Sequence, residues 1–128
     1  VVKRRQREEV QKWIDILDVR PNNPNMLASQ LSGGNQQKVV IAKWLSTNTK
    51  IIIIDEPTNG VDIGAKAEIH QIIRKAAADG CAVLVISSEL PEILSVSDRI
   101  LVMRKGRISG EYENHEITQE MIMEKAVI

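Results

Sequence analysis

The sequence predicts an α/β fold: a parallel βαβ core, an antiparallel hairpin toward the C-terminus, and flanking helices. Three observations carry this reading. Lys50-Ile51-Ile52-Ile53-Ile54-Asp55 and Ala82-Val83-Leu84-Val85-Ile86 are short apolar runs without polar alternation, the pattern of parallel strands covered on both faces. Between them, Ala65 to Asp79 carries Ile69, Ile72, Ile73 and Ala76 at helical spacing and closes at Gly80, where a helix end favours glycine. Farther on, Arg99 to Arg104 and Arg107 to Tyr112 flank the turn Lys105-Gly106, as in a hairpin.

The remaining elements follow in order. Val10, Trp13, Ile14 and Leu17 recur at helical spacing among Arg7, Glu8, Glu9 and Lys12, which makes Lys3 to Leu17 an amphipathic helix. Arg20-Pro21-Asn22-Asn23-Pro24-Asn25 then ends it in a loop. A second helix is expected from Gly34 to about Ser46, a short one near Pro91 to Leu94, and a terminal one capped by Thr118 that carries Met121, Ile122 and Val127.

With 128 residues, 43% of them hydrophobic, the chain is expected to form at most one compact domain. Seventeen basic and seventeen acidic residues cancel, which removes the positive field that phosphate-backbone binding requires and argues against nucleic acid as a partner. The single cysteine, Cys81, cannot form an internal disulfide, so a reducing compartment is expected. Apolar runs such as Ile51 to Ile54 fall far short of the ~20 residues that span a bilayer, so any membrane role is expected to be peripheral. The chain begins at Val1 without a methionine and runs straight into a helical pattern, so it is expected to be the interior of a longer protein.

Two stretches point to chemistry. In Leu31-Ser32-Gly33-Gly34-Asn35-Gln36-Gln37-Lys38, adjacent glycines precede a good helical run. Either Ser32 is an N-cap and the glycines let the chain turn, or bare amides are offered to an anion at a helix N-terminus. In the other stretch, Asp55-Glu56 follows a strand whose C-terminal end lies where α/β sheets bind ligands. One carboxylate there could hold a magnesium ion through water, and the other could orient a water for attack on a phosphoryl group.

Together with Pro57-Thr58-Asn59-Gly60-Val61-Asp62, these stretches resemble the ATP-binding cassette (ABC) ATPases, a P-loop NTPase family. Leu31 to Lys38 resembles the signature motif, Ile51 to Glu56 the Walker B strand, and Asn59 to Asp62 the D-loop. The longer strings LSGGNQQKVVIAKWL and DEPTNGVDIGAKAEIHQII, with Ser87 to Glu92 and Thr118-Gln119-Glu120, resemble the second cassette of the double-cassette ATPases of bacterial monosaccharide importers of the ribose, galactose, xylose and arabinose kind. The resemblance implies a division into part of a helical subdomain, residues 1–48, and the C-terminal part of an ATPase core, residues 49–128. It implies ATP and Mg2+ as cofactors. Leu31, Ser32, Gly33, Gly34, Asn35 and Gln36 would meet the γ-phosphate held on the opposite cassette, and Asp62 would couple the two sites. Asp55 would hold magnesium through water, and Glu56 would act as general base. The implied partners are the other cassette, membrane permease subunits and, indirectly, a periplasmic or extracellular sugar-binding protein, at the cytoplasmic face of the inner (plasma) membrane.

The sequence departs from that family's pattern twice. It contains no G-x-x-x-x-G-K-[ST], so the chain alone is expected not to turn over ATP. Ser88 stands where most of the family carries a switch histidine, and neither His70, expected to be exposed or capping, nor His115 replaces it. Gln36, Gln37 and Lys38 are equally readable as polar contacts or as an exposed helical face, with no catalytic role for Lys38. Trp13 and Trp44 are expected in the core, Lys3 to Arg7 in solvent, and Cys81 at the opening of a buried strand.

Two other readings compete: a chromosome-maintenance or DNA-repair ATPase, which would bring long coiled coils and a basic face, and a non-catalytic interaction half that only completes a partner's site. An isolated chain would also expose sheet edges, so pairing with a second copy is expected.

Overall fold

The computed structural model describes residues 2–127. Val1 and Ile128, the outer ends of the two expected segments, lie outside the described residues. The elements are α1 (Val2–Ile16), α2 (Gly33–Leu45), β1 (Ile51–Asp55), α3 (Ile63–Ala78), β2 (Ala82–Ile86), α4 (Leu90–Val96), β3 (Arg99–Arg104), β4 (Arg107–Glu113) and α5 (Gln119–Val127). Single 3-10 turns at Ala28–Gln30 and Asn114–Glu116 join α1 to α2 and β4 to α5.

β1 and β2 pair in parallel, Ile51 opposite Ala82 and Asp55 opposite Ile86, and α3 is their crossover. Gly80, at φ 100°, ends α3 in the conformation expected of a glycine just past a helix. β3 and β4 form the antiparallel hairpin, with Lys105 and Gly106 both at positive φ in its turn. Helices α2 and α3 begin one and two residues earlier than the apolar periodicity suggests. In both cases a side chain supplies the first-turn acceptor: Ser32 Oγ takes the Asn35 amide and Asp62 Oδ1 the Ala65 amide.

Three apolar clusters hold these elements together. Ile52 and Ile54 of β1 meet Ile41 of α2 and Ile69 and Ile73 of α3. Ile14, Leu17 and Val19 anchor α1 against Leu31, Ala42 and Ile72. Ile100 and Val102 of β3 pack with Ile122 of α5 and, more loosely, with α4.

Four expectations are corrected. The strands are covered on one face only: Ile51 and Ile53 are 68% and 65% exposed, and Leu84 and Ile86 are also open, because α2 and α3 both lie on the Ile52–Ile54 side. Trp44 is half exposed under the Lys43 ammonium, 5.4 Å from its ring centroid, whereas Trp13 is partly buried against α1's cluster. Lys38 is no part of an exposed face. It is 3% exposed, pairs with Glu68 of α3 at 2.6 Å and donates to the Asp18 carbonyl at 2.9 Å. His70 is neither exposed nor capping: its ring lies against Glu92 and Ser95 of α4. Cys81 precedes β2 and is half-buried against the main cluster.

Candidate functional site

The chain brings its chemistry-bearing residues to one region, where the C-terminal ends of β1 and β2 meet the N-terminal ends of α2 and α3. Ser32 caps α2, and its Oγ accepts from the Asn35 amide at 3.4 Å and from Asn35 Nδ2 at 2.9 Å. The hydroxyl hydrogen remains available to donate. The Gly33 and Gly34 amides, which precede the first possible helical bond, enter none of the described hydrogen bonds. Asn35 also accepts the Arg20 amide at 2.9 Å, and Gln36 donates to the Leu31 carbonyl at 3.0 Å, so both side chains brace the motif from within. The Leu31 side chain packs against the α1 cluster, leaving its backbone to shape the turn.

The two glycines also have a packing reason. A β-carbon at Gly34 would lie 2.5 Å from the Ala65 β-carbon, and one at Gly33 would lie 3.3 Å from the Gly60 carbonyl. The signature turn is thus seated on the loop that leads from Glu56 into α3. Ser32 as N-cap and the unclothed amides are both present, so the two readings of this stretch are compatible.

Asp55 ends β1 and is exposed; Glu56 follows at φ 48°, a left-handed conformation that costs a non-glycine residue about 1–3 kcal/mol. Two bonds over-determine it. The Glu56 amide donates to the Ile86 carbonyl at 2.8 Å, and the Ser88 amide donates to Glu56 Oε1 at 2.9 Å. Ser88 therefore reaches Glu56 through its backbone, a contact that side-chain inventory does not reveal. Asp62 is exposed and caps α3 through the Ala65 amide at 3.0 Å.

Behind this turn Thr58 and Glu92, to which the sequence reading assigned no role, meet His70. Thr58, 1% exposed, donates to Glu92 Oε1 at 2.7 Å, and His70 Nε2 meets the same oxygen at 3.0 Å. Burial acts to raise the Glu92 carboxyl, but Ser87, the hydrogen bonds from Thr58 and His70, and the His70 charge together hold it below the ordinary glutamate value. A glutamate in the first turn of a short helix carries no periodic or motif signal, so only the fold shows its burial.

The donor set fits magnesium in one way. Among the described residues no three His, Cys, Asp or Glu side chains cluster to cage a metal. A single exposed carboxylate such as Asp55 fits an ion that keeps several waters and is otherwise held by phosphates.

The family model described as ABC transporter matches residues 2–59. The ribose import ATP-binding protein RbsA of Geobacillus kaustophilus is 48% identical over 122 residues, which is 95% of this chain and 25% of that protein. The xylose import ATP-binding protein XylG of the same organism is 62% identical over 95 residues, covering 74% of this chain and 19% of its own length. Among solved structures, the ADP conformation of an ATP-binding cassette of an ABC transporter superposes with TM-score 0.74 at 32% identity, over 83% of this chain and 41% of that one. A dimeric post-hydrolysis cassette bound to ADP and Pi gives 0.75 at 28% identity, over 87% and 48%. The chain thus spans about a quarter of the length of the first curated relatives, and no described helix is long and apolar enough to cross a membrane. Over most of its length the chain is thus similar to sugar import ATP-binding proteins and to ATP-binding cassettes of ABC transporters.

Proposed function

We propose that this chain is the signature and Walker B part of the second cassette of an ATPase that powers monosaccharide import. Residues 1–48 belong to the helical subdomain and 49–128 to the C-terminal part of the core. The reading is carried by one observation: Glu56 is fixed at the C-terminal end of β1 by the Ser88 amide, beside the turn on which Gly33 and Gly34 are seated. The curated relatives, ribose and xylose import ATP-binding proteins, favour a sugar as cargo.

The mechanism follows from the groups present. Ser32 Oγ–H and the Gly33 and Gly34 amides converge at the positive end of α2 and receive the γ-phosphate of ATP carried by an opposing cassette. Glu56 holds the attacking water and takes its proton, with its carboxylate oriented by the Ser88 amide. Asp55 would hold magnesium through water, and a bound ion there would supply neutralisation of phosphate charge. Asp62, exposed beside Gly60 and Val61, faces the opposing cassette and couples the two sites. Leu31, Asn35 and Gln36 keep the signature turn in shape.

The 128 residues contain no phosphate-cradling G-x-x-x-x-G-K-[ST], so the chain by itself does not turn ATP over. Its partners are the opposing cassette, permease subunits and, through them, a sugar-binding protein, at the cytoplasmic face of the membrane. The test is a chimaera in which this chain replaces the matching quarter of the Geobacillus ribose import relative. Glu56→Gln is expected to lower kcat about a hundredfold or more, with ATP still bound. Unchanged turnover would overturn the reading.

A further inference from the structure

Glu92 is a buried carboxylate with work on more than one side. Its Oε1 accepts from Thr58 Oγ1 at 2.7 Å and faces His70 Nε2 at 3.0 Å, while Oε2 is buried without a hydrogen-bond partner. Ser87 helps to hold the carboxyl below the ordinary glutamate value. Thr58 stands two residues after Glu56, and Ser87 immediately precedes Ser88, whose amide holds the Glu56 carboxylate. Glu92 therefore lies between the two chain segments that define where Glu56 points.

His70 braces the carboxylate from α3. Ser95 Oγ donates to the Glu92 carbonyl at 2.8 Å and lies 3.2 Å from His70 Nδ1. Both ring nitrogens are thus engaged by α4, Nε2 by Glu92 and Nδ1 by Ser95. A serine, histidine and glutamate in this order resemble a hydrolytic triad, but the Ser95 hydrogen is committed to a backbone carbonyl.

We infer that Glu92 is a positioning residue: from α4 it clamps the Thr58 turn, with His70 bracing its carboxylate, and thereby fixes the left-handed Glu56 carboxylate against the Ser88 amide. A buried carboxylate that loses its partners is expensive, so the arrangement is held in one geometry rather than several. The inference rests on Glu56 being the reactive carboxylate only for its effect on turnover. The clamp itself is a property of the fold.

Two measurements test it. In the 128-residue chain, amide hydrogen exchange by NMR is read at Asn59, Val61 and Ser88, whose N–H groups bond the Glu56 carbonyl, the Thr58 carbonyl and Glu56 Oε1. Glu92→Ala is expected to speed exchange at these three sites about tenfold while the interior of α2 and the β3–β4 ladder change little. Thr58→Val, nearly the same shape without the hydroxyl, is expected to reproduce the effect. No acceleration in either variant, or equal acceleration throughout the chain, overturns the clamp. In the chimaera, Glu92→Ala is expected to lower kcat at least tenfold at unchanged KM, with Glu92→Gln, which keeps an acceptor for Thr58, partly restored. Full kcat in Glu92→Ala overturns the positioning role. A parent chimaera without ATP turnover but with the local exchange pattern would overturn the functional reading and leave the clamp standing.

Discussion

Gly34 shows why a motif glycine can have two reasons at once. Its amide enters none of the described hydrogen bonds, which suits the proposed phosphate contact, and its missing side chain lets α2 sit on Ala65 at the start of α3. A bulky residue at position 34 would destroy packing before it reported on ligand binding. Gly34→Ala is accordingly expected to destabilise the chain by about 1–3 kcal/mol, as overpacking does. Ala65→Gly alone should cost about 1 kcal/mol from helix propensity. In urea unfolding the double variant is expected to lose less than the sum of the two; strict additivity would show that the close approach is not the cause. The sequence pointed to Gly34 as special but offered no view of Ala65, because nothing local indicates that these two helix starts meet. Glu56 is similar: its place after a strand was legible, whereas the Ser88 amide on Oε1 depends on the parallel register of β1 and β2.

At the level of elements, most of the fold was legible because each strand and helix carries its own periodic pattern and stop signal, such as Gly80 after α3 and Lys105-Gly106 in the hairpin. What misled was one-sided packing. Four isoleucines in a row read as doubly covered, yet both helices lie on one side of the sheet and leave Ile51 and Ile53 open. Lys38 misled in the other direction, since a lysine in a polar first turn looks solvated until α3 and the Asp18 loop close over it. That lysine now ties α2 to both neighbours. Lys38→Ala removes the ion pair, the carbonyl bond and the packing of the stem, and is expected to cost about 2–4 kcal/mol in urea unfolding. A loss near zero would mean that the apolar clusters alone hold α2 in place.

For the molecule as a whole, the open sheet face sets its behaviour in solution. Ile51, Ile53, Leu84 and Ile86 form an apolar face on a sheet of two strands, each with an unpaired edge among the described residues. Sedimentation velocity of the 128-residue chain is expected to show self-association that rises with concentration, and Ile53→Lys is expected to reduce it. A monomer at all concentrations would remove the open face as the cause. The Gly33-Gly34 turn, the Glu56 carboxylate and the Asp62 loop lie together at the strands' C-terminal ends, where the proposed function places an opposing, nucleotide-carrying surface. The most direct test labels this chain with 15N and mixes it with the cassette of the Geobacillus ribose import relative loaded with a non-hydrolysable ATP analogue or with ADP. The account predicts that the Gly33 and Gly34 amide resonances shift with the triphosphate and stay in place with ADP. Resonances that ignore both nucleotides would contradict it.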